Sequence, residues 1–166
     1  MVESKGDTLQ RILVFLGIGS CIFVLAVNGA LFHSMRTREA NTNGAIQTMR
    51  NFHSAQAIFS YGGKSNYAAT ESDLSELCPG NGSGFIPPML VTMQRIPYGG
   101  YIMASIKTTP KTPNSEPTYS IVIVPQVQTG LFRTGDDCFY VDQTGEIRHS
   151  GSPTTMPDAN SPLLQH

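Results

Sequence analysis

Apolar and polar positions change pattern twice along the first third of the chain. From Ile12 to Phe32 no Lys, Arg, Asp or Glu interrupts an apolar run in which Asn28 is the one strongly polar side chain. As a helix these residues rise about 31 Å, enough to cross the hydrocarbon core of a bilayer. A buried helix of a soluble domain normally keeps a polar stripe, and this run is apolar on all sides, so the pattern predicts a membrane-spanning helix. From His33 to Asn43 the residues are polar all round, with Arg36, Arg38 and Glu39 and no proline. Ala45, Met49, Phe52 and Phe59 then return at helical spacings that set them on one face. One helix from about Asp7 to about Tyr61 is predicted, roughly 80 Å long, ended by Gly62-Gly63.

Beyond the helix the pattern turns irregular. Residues 66–97 are rich in Gly, Pro and Ser, with one short helical turn expected where Thr70 precedes Asp73 as an N-terminal cap. Strand patterns follow at Tyr101 to Thr108, Thr118 to Val124, Cys138 to Asp142 and, after the turn Gln143-Thr144-Gly145, Glu146 to His149. The Pro- and Ser-containing tail, 150–166, is expected to be loosely ordered. The division is therefore a leader-like segment at 1–6, a transmembrane part of the helix at 7–32, a soluble part at 33–61, a globular domain at 62–149 and the tail.

Composition narrows the function classes. The chain has 166 residues, so about 130 remain outside the expected span, room for one small domain. Formal net charge is −1 and no basic patch stands out, which points away from nucleic acid as a partner. Of three cysteines, Cys21 lies in the apolar run, whereas Cys78 and Cys138 lie in the later part. In an exported domain such a pair reads as a disulfide; in a cytoplasmic one it reads as two buried thiols. Lys5 and Arg11 before the span balance Arg36 and Arg38 after it, so charge does not orient it and the cysteine pair points the domain outward. Ile18-Gly19-Ser20-Cys21 also looks like a lipobox, but the residues after Cys21 stay apolar where a mature lipoprotein would leave the membrane. Gly62-Gly63-Lys64-Ser65 has neither the earlier glycine nor the preceding strand that a phosphate loop needs.

A long half-apolar helix, an irregular loop and a small antiparallel sheet, in that order, resemble the type IV pilin and type II secretion pseudopilin family over nearly the whole chain. Lys5-Gly6-Asp7-Thr8-Leu9 looks like a degenerate prepilin cleavage signal, with Gly6 before the cut and Asp7 after it. Residues 55–61, 66–69 and 74–77 resemble the end of the pilin helix and its following loop, and the segment from Cys138 to Arg148 resembles the C-terminal hairpin Phe-x-x-Asp-x-x-Gly-x-Ile-Arg. The resemblance implies an α+β fold: a pilin-like long N-terminal helix, its first half transmembrane, packed on a small antiparallel β-sheet through Met49, Phe52 and Phe59. It also implies other pilin-like subunits, an assembly platform and membrane lipid as partners. The place it implies is a single pass in the inner membrane, with the globular domain outside the cytoplasm. The chain departs from the family at three points: Asp7 replaces the aromatic or Met first mature residue, Arg11 replaces the membrane-embedded glutamate, and Asn28 replaces the mid-helix proline. Those departures leave methylation open and favour an accessory subunit over a major one.

Catalysis finds little support. His33, His53, His149 and His166 are scattered, and none stands at a metal-binding spacing or in a nucleophile motif. Asp136, Asp137 and Asp142 flank the last hairpin and are weak calcium candidates, with a solvated hairpin the plainer reading. The expectation is a structural protein without cofactor that works by assembly. The alternative is a lone membrane-anchored binding or sensor domain, or a lipoprotein, and a tethered exported hydrolase is more remote. Co-purification with pilin-like proteins separates the first from the rest.

Overall fold

The computed structural model describes residues 5–64, 66–76 and 88–165, and the side chains of 5–19, 21, 63, 64, 71 and 89 lie outside that description. The chain is α+β, with a long N-terminal helix and a four-stranded antiparallel sheet. Helix α1 runs from Lys5 to Phe59, and two compact units, residues 1–36 and 37–166, divide within it. No proline falls between its ends, so every turn after the first can close its backbone hydrogen bonds. Asn28, polar within the apolar run, turns its Nδ2 onto the Val24 carbonyl one turn earlier, 2.7 Å away, and so satisfies itself within the helix. Among the described residues no helix is long and apolar enough to cross a membrane, and the side chains of 12–19 and 21 in the expected span are outside those residues.

In the second unit α1 buries one stripe. Ala45, Thr48, Met49, Phe52, Ala55 and Gln56 are buried, with Phe59 following one turn later, a spacing of three and four that keeps all of them on one side. The α-helix stops at Phe59, earlier than the glycine pair suggested, because Ser60–Lys64 widens into a single π-helical turn. Helix α2, Glu71–Ser75, begins at a full capping box: Thr70 Oγ1 accepts from the Asp73 amide at 3.1 Å, and the Asp73 carboxylate accepts from the Thr70 amide at 2.9 Å. A further short helix, α3 (Pro88–Val91), sits where the sequence suggested only loop. Proline suits its first turn, and Leu90, Val91 and Met93 bring their side chains into the core.

Strands β1 (Tyr101–Thr109), β2 (Thr118–Pro125), β3 (Phe139–Asp142) and β4 (Ile147–His149) form a meander in the order β1-β2-β3-β4. Their register opposes Ile106 to Ile121, Ile121 to Val141 and Val141 to Ile147, so apolar residues stack across the sheet. A bulge at Ala104 shifts the β1 register between Met103 and Ser105. Alternation divides β2 between two cores: Tyr119, Ile121 and Ile123 join the main core with Met49, Phe52, Phe59 and Phe139, while Val122 and Val124 form a smaller cluster with Cys138 on the other face. The tail differs from the expected loose segment. Its Pro162 carbonyl accepts from the His149 amide, the Leu164 amide donates to the Ile147 carbonyl at 2.9 Å, and Leu163 bridges Arg148. These bonds satisfy the outer backbone groups of β4, which would otherwise face solvent unpaired.

Candidate functional site

The residues singled out from the sequence fall in three places. Gly6, Asp7 and Arg11 lie on the backbone of α1, with their side chains outside the described residues. Downstream of them, Ile22, Phe23, Leu25, Phe32 and Met35 stand exposed on α1, and the Arg36 guanidinium lies 5.9 Å from the centre of the Phe32 ring. Exposed apolar side chains gathered along one stretch of helix mark a surface of interaction.

Met49, Phe52 and Phe59 are on the opposite part of the same helix, buried beneath the sheet against Ile121, Ile123 and Phe139. Their role is cohesion of the domain. Gln56 lies in the same stripe, fully buried, and its amide group clamps the backbone of Ala68: Nε2 donates to the carbonyl and Oε1 accepts from the amide, both at 2.8 Å. Hydropathy patterning gives no sign of this residue, since a polar side chain on an apolar face signals nothing about which backbone it meets.

The bridge expected between Cys78 and Cys138 is not formed. Cys138 is a buried free thiol whose Sγ donates to the Pro153 carbonyl at 3.2 Å, and Cys78 lies outside the described residues. Burial pushes its pKa up to about 11, with the nearby Asp137 charge adding and a Ser150 hydrogen bond opposing. The cysteine pair left the bridge and two buried thiols both open, and nothing in the sequence says which way a thiol faces.

The three weak calcium candidates separate onto different partners. Asp136 pairs with Arg133 and with Arg38 at 3.2 Å; although burial alone would raise its pKa, these guanidinium groups hold it below the usual carboxylate range. Asp137 accepts from His149 Nδ1 and from the Ser150 and Gly151 amides, which organises the turn after β4. Asp142 accepts from the Thr144 amide at 2.9 Å and its hydroxyl at 2.6 Å, closing the β3–β4 turn. Among the described residues no three His, Cys, Asp or Glu side chains converge as a metal site requires.

A partly open pocket has no signature in the sequence. A cavity of about 430 Å³ opens between the end of α1 and the sheet, lined by His53, Tyr61, Tyr67, Glu116, Tyr119 and Thr144 among others. His53 Nδ1 and the Tyr119 hydroxyl are 2.6 Å apart, and Tyr67 meets the Tyr119 ring edge-on at 4.6 Å. Burial raises the Tyr119 pKa, so its phenol stays protonated at neutral pH and shares a hydrogen bond with His53. Glu116 is held by Lys111 at 3.1 Å. These residues come from four separate segments, and only the folded chain brings them together. No protein-family model, no curated protein and no solved structure matches the chain.

Proposed function

We propose that this chain is an accessory subunit of a filament of the type IV pilus or type II secretion pseudopilus class, held in the inner membrane by the first half of α1 until it assembles. The observation that carries the reading is the division of labour along one helix. Residues 45–59 spend their apolar face on the chain's own sheet, while residues 22–35 keep Ile22, Phe23, Leu25, Phe32 and Met35 uncovered, in continuation of the charge-free run from Ile12. Lipid covers such a surface in the membrane, and the helices of neighbouring subunits cover it in a filament. The sheet domain then faces outward, outside the cytoplasm.

Arg11 sets the partner. Near the edge of a bilayer a guanidinium snorkels to the headgroups at modest cost, but in a filament core it has none to reach, and an unpaired buried charge costs several kcal/mol. A carboxylate on a neighbouring subunit, at the position where this chain carries Arg11, satisfies it. The chain is then a poor self-assembler and a good partner for a subunit bearing that carboxylate. Co-purification from native membranes is the test: Arg11→Glu weakens capture of a pilin-like partner, and the reciprocal Glu→Arg change in the partner restores it. Undiminished capture of the Arg11→Glu protein removes Arg11 from assembly, and absence of any pilin-like partner from the unaltered protein overturns the filament reading.

A further inference from the structure

Tyr67 is fixed on both sides of its own backbone, and its ring stays half-buried. Before it, Asn66 Oδ1 accepts from the Lys111 amide at 2.8 Å; after it, the Gln56 side chain bonds both backbone groups of Ala68. The ring meets Tyr119 edge-on at 4.6 Å, and Tyr119 is held in turn by His53. A loop aromatic anchored at three points is a preformed surface, so a ligand stacking on it meets little ordering cost at that residue.

Two pockets share this tyrosine. One is the cavity of about 430 Å³ beside His53, and the other, of about 420 Å³, is lined by Tyr67 with Asn66, Asp73, Thr108 and Thr109 among others. Each falls within the roughly 300 to 1,000 Å³ of small-molecule sites. Among the described residues the hydroxyls of Ser60 and Tyr67 and the amide group of Gln143, all lining the first pocket, make no hydrogen bond within the protein. Among the described residues no Lys or Arg lines either pocket, so an anion finds no counter-charge. The two carboxylates that line them are engaged: Lys111 pairs with Glu116, and Asp73 accepts from the Ala69 and Thr70 amides. Little is therefore left for a cation. A wholly apolar guest would strand the hydroxyl and amide groups. The lining suits an uncharged ligand rich in hydroxyls, which both donate and accept, and carrying C–H faces that lie against an aromatic ring. Tyr61 adds a second ring at the rim of the first pocket, 90% exposed.

We propose that the two pockets form one binding site for a neutral saccharide of two or more units, with a sugar ring stacked on Tyr67 and its hydroxyls bonded by Ser60, Tyr67 and Gln143. Every residue of the site lies within residues 37–166, so the proposal does not rest on the anchoring or assembly of the first half of α1.

The test is saturation-transfer difference NMR on the full-length protein in a polyoxyethylene detergent, which contains no sugar, with cellobiose, lactose or diacetylchitobiose as probe. Saturation is expected to pass to the ring C–H protons of one or more of these, with a dissociation constant that Tyr67→Ala raises about tenfold, as when an aromatic anchor is truncated. Tyr67→Phe keeps the ring and should raise it by less. Phe132→Ala, in the exposed loop between β2 and β3 at the other end of the sheet, should leave it unchanged. If Tyr67→Ala does not fold, the double variant Ser60→Ala, Gln143→Ala decides, with an expected rise of about fivefold for two lost hydrogen bonds. No transfer to any of the three sugars, or transfer that the Tyr67 and Ser60/Gln143 variants leave unchanged, overturns the proposal. Transfer to N-acetyl-trialanine amide or to tetramethylammonium with the sugars silent assigns the pockets to a peptide or to a cation and equally overturns it.

Discussion

Gln56 is the residue on which the loop after α1 depends, because both backbone groups of Ala68 are buried and have its side-chain amide as partner. Gln56→Leu fits the apolar stripe but strands those two groups, and it is expected to lower unfolding free energy by about 2 to 4 kcal/mol in a denaturant titration. Phe52, fully buried in the same stripe, acts by volume instead: Phe52→Ala should cost about 3 to 5 kcal/mol in a fragment covering residues 37–166, and a loss below about 0.5 kcal/mol would place that ring on the surface. Cys138 is expected to resist a thiol reagent in the native protein and to react once denaturant is added. Burial both blocks access and holds its pKa near 11, so almost no thiolate exists at neutral pH. Alkylation of Cys138 without denaturant would show that the small cluster behind β2 opens readily.

At the scale of elements, the β3–β4 turn meets α1 through one glycine. Gly145 has φ of +77°, and a Cβ on it would stand 2.7 Å from His53 Nε2. Gly145→Ala should therefore destabilise by about 1 to 3 kcal/mol, and part of that loss should vanish in the His53→Ala background, a non-additivity that a double-mutant cycle measures. The glycine was legible in the sequence as a turn former after Asp142; its contact with a histidine 92 positions earlier was not. The same boundary runs through the whole fold. Elements with local causes could be read directly: the helix from its periodicity, four strands from alternation, the α2 cap from Thr70 and Asp73. Features made by distant segments left no local trace, among them the cavity beside His53, the clamp on Ala68, the pairing of the tail with β4, and the free state of Cys138. Helix α3 was missed for a different reason, since four residues show no period and its apolar side chains serve the core without needing one.

For the molecule as a whole, the buried phenols set an upper pH limit. Burial raises Tyr101 to about 12, against which a hydrogen bond from Thr42 works, and raises Tyr119 as well. A phenol whose pKa is higher in the folded chain than in the unfolded one contributes its stability fully below about pH 10 and loses it as pH rises through about 12. Thermal unfolding followed from pH 9 upward should show that fall, and Tyr101→Phe should flatten it by up to roughly 3 kcal/mol across the window. The tail carries another whole-molecule consequence. With residues 162–164 paired along β4, that margin of the sheet offers no row of unsatisfied amides and carbonyls to a foreign strand. In a fragment covering residues 37–166, removing the chain after Pro157 would uncover it and leave a template for intermolecular β-pairing, so the shortened fragment should elute as aggregates in size-exclusion chromatography while the fragment that keeps residues 158–166 does not. The pairing of residues 162–164 with β4 thus acts as a guard on that margin, so a protease cut within 158–161 is a route from a single domain to self-association.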